Sequence, residues 1–255
     1  MSKTLDNFRE YFRASSEPLQ ALALTLPLII VYGIGILVAP EAQNGVDLLT
    51  GQLYDALQLA GKWRGLGYFA LYGLLIGLDI GLWLWLVQSR RFSMQFLIPL
   101  LGECALYAML TGTVASWVTR DLTQALHAIA PVHGLWPLAA GLRKFQVIDG
   151  VIVSAGAGLH EELVFRLLSI GLVARLWLGR DWRKCKRQLV ILLVATSIAF
   201  ALAHYMVEPF TISSFIFRTV SGLIFGTLFL LRGFAVAAWT HALYDLWVIL
   251  LLGLS

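Results

Sequence analysis

The sequence predicts an all-α fold: a polytopic membrane bundle of about seven transmembrane helices enclosing a polar cavity. Three observations carry this. The composition is 59% hydrophobic and only 13% charged, with a mean hydropathy of +0.78, which describes a membrane protein and not a soluble domain. Apolar runs of about 20 residues, the length an α-helix needs to cross a bilayer core, recur along the chain. One of those runs contains Gly158-Leu159-His160-Glu161-Glu162-Leu163-Val164-Phe165-Arg166. An ionisable group at the centre of a membrane helix costs about 2.5 to 3.5 kcal/mol, so such a cluster marks a functional site by default.

Residues 1–255 read as a single membrane domain, in which 1–17 is an amphipathic surface segment and 140–255 the motif-bearing core. In the first segment Phe8, Tyr11 and Phe12 oppose Lys3, Arg9 and Arg13, the pattern of a helix lying on a membrane. Leu19 to Ala39 is long enough to span and lacks a small-residue cleavage pattern, so it is expected as the first transmembrane helix, with Pro27 a kink. Pro40 to Gly65 mixes Asp47, Asp55, Lys62 and Arg64 with leucines at helical spacing and suggests a short interfacial helix.

Leu66 to Val87 and Phe96 to Val118 are the second and third spans, each interrupted by one acid, Asp79 and Glu103. Either acid can line a cavity, but a hydrogen bond to a neighbouring helix or a position near the interface is the favoured role of each. Thr119 to Phe145 is expected as a long connection; its His127 and His133 have no third ligand and make a poor metal site. The fourth span, about Val147 to Leu178, holds the glutamate stretch, with Gly156, Gly158 and Gly171 permitting close approach of neighbours. Gln188–Val207, Ile212–Leu231 and Phe234–Leu252 complete the set.

Charge is informative as topology. The net charge of +4 resides in short loops beside apolar spans, so it argues for the positive-inside rule and not for a nucleic-acid partner. With the N-terminus cytoplasmic, twelve basic residues, including the six from Arg175 to Arg187, fall on the cytoplasmic side and six on the other. Cys104 and Cys185 suggest neither a disulfide framework nor a metal site.

On a helix, Glu162 and Arg166 are four apart and face each other, while Glu161 is turned about 100° from Glu162. The pair can neutralise itself and leave Glu161 available as a general base. The fifth span carries Phe200-x-x-x-His204 and the seventh His241-x-x-x-Asp245. His241 and Asp245 lie one turn apart, so the acid is expected to orient the imidazole. His160-Glu161 begins like the helical zinc signature His-Glu-x-x-His, but position 164 is valine. Zinc held by His204, His241 and a glutamate stays open as the alternative.

Glu161-Glu162-x-x-x-Arg166, Phe200-x-x-x-His204 and His241-x-x-x-Asp245, in this order on three spans with Gly222-x-x-x-Gly226 between the last two, resemble the type II CAAX prenyl endopeptidases. That family is also called CPBP, after its CAAX proteases and bacteriocin-processing enzymes. The likeness covers roughly the last hundred residues. It implies an intramembrane glutamic endopeptidase with no cofactor, in which Glu161 and His204 activate the hydrolytic water. The last motif, His241 and Asp245, would stabilise the oxyanion. The family's eukaryotic branch has asparagine where Asp245 stands, and an ionised Asp245 can only accept, so His241 alone becomes the expected oxyanion donor and a prenylated substrate is put in question. The expected partners are the bilayer and a membrane-associated or exported protein or peptide; the expected location is a prokaryotic cytoplasmic membrane.

A non-proteolytic scaffold or immunity protein of the same fold and a proton-coupled transporter are the competing classes. Intact Glu161, His204 and His241 argue against the first, and the lack of repeat symmetry against the second. On upright spans, helix rise puts His204 near the outer end and Glu161 and His241 near mid-membrane, a mismatch of about 10 to 15 Å. A cavity in the half of the bilayer away from the cytoplasm is the arrangement in which the three meet most easily.

Overall fold

The computed structural model describes residues 10–13, 15–39, 42, 44, 47, scattered positions between 73 and 88, 94–129, 147–206 and 208–252. Among these the chain is helical, without a strand. Helix α1 is Pro18–Val38, with Pro18 at its first turn, where a missing N–H costs nothing. Helix α2 is Leu97–Ile129, α3 Val147–Gly156, α4 Val173–Leu178, α5 Lys186–Ala203, α6 Ile212–Arg232 and α7 Phe234–Leu252. Four helices are long and apolar enough to cross a membrane, Leu19–Ile36, Leu97–Leu126, Lys186–Met206 and Ile212–Arg232, and Phe234–Leu250 forms a shorter apolar helix. The expected span Leu66–Val87, with Asp79, and the interfacial helix before it lie largely outside the described residues.

The helix of the third span runs past its expected end. Thr119 to Ile129 continues α2 where a connection was expected, because no proline or glycine interrupts the sequence before Pro131. The Thr123 hydroxyl, donating to the Thr119 carbonyl at 2.8 Å, caps its own polarity within the helix.

Between α3 and α4 the chain stays helical but widens into two π-helical segments, Ala157–Glu161 and Leu163–Leu172. Here carbonyls face groups five residues on; the Ser169 hydroxyl donates to the Val164 carbonyl at 2.7 Å. Such widened turns are rare in helices and concentrate at functional sites. The glutamate stretch lies in this part.

Helix α7 is the hub, packed against α1, α2, α3, α6 and the first π segment. Its residues Ala235, Val236, Ala237 and Ala238 are fully buried, as expected of a helix apolar all round. The Trp239 indole N–H donates to the Leu24 carbonyl of α1 at 2.8 Å. Helices α6 and α7 join through Gly233 at φ 93°, a left-handed conformation that glycine adopts without Cβ strain.

One end of the bundle gathers the basic groups. Arg183 of the loop before α5 donates to the Leu230 carbonyl near the end of α6 at 3.0 Å. Arg232, which ends α6, donates to both oxygens of Glu103 at 2.7 and 2.8 Å. Tyr11 donates to the same carboxylate, and the Arg232 guanidinium stacks on Phe12 at 3.8 Å. The N-terminal segment is therefore tied to the bundle through Glu103, a polar bond between neighbouring helices, and it shares its end with the loop from Arg180 to Arg187.

Candidate active site

The site forms where the first π segment crosses α7. An ideal Cβ on Gly158 would lie 2.4 Å from the Ala238 carbonyl oxygen and 2.7 Å from the Ala242 Cβ. Only glycine permits this approach, which brings the helix carrying Glu161 and Glu162 onto the turn carrying His241. Gly222 plays a similar part between α6 and α5, where a Cβ would lie 3.1 Å from that of Ser197.

Glu162 and Arg166 form an ion pair at 3.0 Å, with side chains 0% and 1% exposed. The guanidinium also donates to the Gly222 carbonyl at 3.1 Å and packs over the Phe200 ring at 4.5 Å. The charge is thus paired and hydrogen-bonded, the condition under which a buried ion pair is tolerated.

Glu162 has a second contact. Its Oε1 lies 2.8 Å from Nδ1 of His241. The His241 ring stacks on Phe225 with centroids 4.4 Å apart and an interplanar angle of 16°. The imidazole is held in plane by the phenyl ring and in rotation by Glu162. Asp245, expected to orient this ring, has its Oδ2 3.5 Å from the other nitrogen, Nε2. The close π-segment crossing brings Glu162 to Nδ1, so the ring has a carboxylate near each nitrogen.

His204 opens the short 3-10 turn that ends α5. Its Nδ1 lies 2.9 Å from the Phe200 carbonyl. A carbonyl can only accept, so Nδ1 carries a proton, and in the neutral ring Nε2 presents a lone pair.

Glu161 stands between the two histidines. Its Oε2 is 3.9 Å from Nε2 of His204 and 3.9 Å from Nε2 of His241, and its Oε1 accepts from the Asn44 amide at 2.9 Å. The depth mismatch that upright spans would create is closed: pairwise contacts link His204 and His241 to Glu161, Asp245 and Glu162 to His241, and Arg166 to Glu162.

Residues from the stretch after α1 complete the surroundings, and nothing in the sequence singled them out. Besides Asn44, Asp47 lies 3.4 Å from Nε2 of His160 and accepts from the Tyr32 hydroxyl at 2.8 Å. An asparagine and an aspartate in a loop carry no spacing signal; only the fold brings them to the glutamates. Among the described residues, no three His, Cys, Asp or Glu side chains converge with the geometry of a metal site.

Residues 143–247 match the family model described as Rce1-like, type II CAAX prenyl endopeptidase. The match starts just before α3 and ends two residues after Asp245, so every residue of the three motifs falls inside it. No curated protein and no solved structure matches the chain. An Rce1-like match over these residues, in a bundle of apolar helices long enough to cross a membrane, supports an integral membrane protein and a CAAX-type intramembrane protease, that is, a peptidase.

Proposed function

We propose, from the Rce1-like domain at residues 143–247, that this chain is a glutamic intramembrane endopeptidase that cleaves a membrane-associated or exported protein with water activated by Glu161. The observation that carries this is the pair of 3.9 Å separations from Glu161 Oε2 to the two imidazole Nε2 atoms. That is too long for a direct hydrogen bond. It is the separation of two groups that each hold the same water at about 2.8 Å, roughly at right angles.

The donor and acceptor roles suit that water. Glu161 Oε2 accepts one of its hydrogens and the His204 lone pair the other, which leaves an oxygen lone pair free to attack the scissile carbonyl. As the C–O bond forms, Glu161 takes the proton and the carbonyl π-electrons move to the oxygen. The Glu162 carboxylate at Nδ1 can only accept, so Nδ1 carries a proton, and in the doubly protonated ring Nε2–H, 3.5 Å from Asp245, turns to the developing oxyanion. Such a donor is worth about 2.7 to 4 kcal/mol of barrier. On collapse the C–N bond breaks, and Glu161 returns its proton to the leaving amine.

Zinc is the runner-up. Two ligands on a tetrahedral zinc at about 2.0 to 2.1 Å would stand about 3.3 Å apart, closer than the separations here, so the metal-free mechanism is favoured. Asp245 in place of asparagine favours a substrate other than a prenylated CAAX tail.

The end shared by Tyr11, Arg183 and Arg232 would be cytoplasmic, in a prokaryotic cytoplasmic membrane. His204, about 27 Å along α5 from Lys186, then lies towards the opposite face. The cavity is read as opening outward, to substrates processed during or after export.

The test is cleavage by purified protein in detergent, with substrates found by comparing membrane proteomes with and without the protein. Glu161→Gln should abolish cleavage at unchanged expression and thermal stability. A Glu161→Gln protein that cleaves at near wild-type rate removes the mechanism.

A further inference from the structure

Asn44, which lies outside the matched domain, donates a hydrogen bond to the proposed base, and it does not reach Glu161 alone. Its backbone N–H donates to the Tyr32 hydroxyl at 3.1 Å. The same hydroxyl donates to Asp47 at 2.8 Å, and Asp47 contacts Nε2 of His160 at 3.4 Å. His160 in turn has its Nδ1 3.1 Å from the Gly156 carbonyl of its own helix, and its ring packs on Tyr32 at 4.6 Å. Tyr32 and His160 are buried, 1% and 7% exposed. The chain beyond α1 is thereby fastened to α1 and to the residue beside Glu161.

We infer that Tyr32, Asp47 and His160 form a polar latch whose purpose is to hold Asn44 against Glu161, making Asn44 a positioning residue for the general base. A carboxylate rotates about its last torsion over a broad range. Donation from the Asn44 amide to Oε1 selects the rotation that leaves Oε2 equidistant from His204 and His241. Without that hydrogen bond the carboxylate is free to turn towards either imidazole and contact it directly, which displaces the water the mechanism needs. The hydroxyl of Tyr32 is the hinge of the arrangement, because it accepts from the Asn44 backbone and donates to Asp47.

This rests on the glutamic-protease reading, and the experiment separates the two. Cleavage is measured for the wild type, Asn44→Ala, Tyr32→Phe, the double variant and Glu161→Gln, with monodispersity and melting temperature recorded for each. Asn44→Ala should lower kcat about tenfold or more while KM stays within about twofold, since the amide acts on the base and not on substrate binding. Tyr32→Phe removes a single oxygen and should lower kcat about three- to tenfold. In the Asn44→Ala background, Tyr32→Phe should cost little more, because a latch that acts through Asn44 has nothing left to position.

Losses that multiply in the double variant, or an Asn44→Ala protein with wild-type kcat, overturn the inference while leaving Glu161 as base. An active Glu161→Gln protein overturns both. Should Asn44→Ala fail to fold, Asn44→Asp takes its place in the cycle with the same expectations; it keeps the size and replaces the donor by an acceptor.

Discussion

Replacing Gly158 by alanine adds one methyl group at the tightest crossing in the site, and its consequence can be worked from distances. The new Cβ would stand 2.4 Å from the Ala238 carbonyl oxygen, 2.7 Å from the Ala242 Cβ and 2.8 Å from the Ala242 nitrogen. Ordinary contacts lie at about 3.5 to 4.0 Å, and two of the three obstacles are backbone atoms of α7 that cannot rotate aside. The π segment and α7 must separate by about 1 Å to relieve the overlap. That stretches the 2.8 Å contact of Glu162 with His241 beyond hydrogen-bonding range and opens the 3.9 Å gap between Glu161 and His241. Overpacking of this kind costs about 1 to 3 kcal/mol of stability, and a misplacement of about 1 Å costs about a hundredfold in rate. The assay is kcat for substrate cleavage in detergent beside thermal unfolding. Gly102→Ala is the control, since a Cβ there meets nothing within 4 Å. A Gly158→Ala protein that cleaves within twofold of wild type would refute the argument that this crossing sets the geometry.

Further outcomes follow from the same contacts. Arg166→Met leaves Glu162 buried without its cation and should cost about 3 to 5 kcal/mol in thermal unfolding; adding Glu162→Gln should recover part of that loss. Glu162→Gln alone should impair folding or the placement of His241 more than chemistry, read as reduced expression or melting temperature with residual cleavage. Strong chelators should leave activity intact and metal analysis of the purified protein should find no stoichiometric zinc; one zinc per chain, lost together with activity, promotes the metalloprotease. In a background lacking the native cysteines, a cysteine at Glu208 should react with impermeant reagents from outside and one at Lys184 only from the cytoplasm. The reverse pattern inverts the orientation and returns a cytoplasmic substrate to favour.

The helical bundle and a candidate site were legible because bilayer physics writes them into composition. Apolar runs of membrane length announce helices, and Glu161, Glu162 and Arg166 inside such a run announce chemistry, since the cost of burying them is local to the sequence. The i,i+4 spacing likewise made the ion pair of Glu162 with Arg166 readable, because helix geometry alone brings those side chains together. The length of α2 was misjudged at Thr119, where polar residues imitate a loop although nothing breaks the helix.

What spacing could not decide is which atom faces which across different helices. The spacing of Asp245 from His241 places it 3.5 Å from Nε2, but that Glu162, 79 residues away in sequence, reaches Nδ1 depends on Gly158 letting two helix backbones meet. Asn44 reaches Glu161 across 117 residues, and the histidine depths that disagree on upright spans converge on one carboxylate oxygen. A sequence determines the interactions whose partners share a helix, because 3.6 residues per turn relates them in advance. Contacts between helices depend on crossing positions set by a few small residues and on widened π turns, and those exist only once the whole bundle has packed.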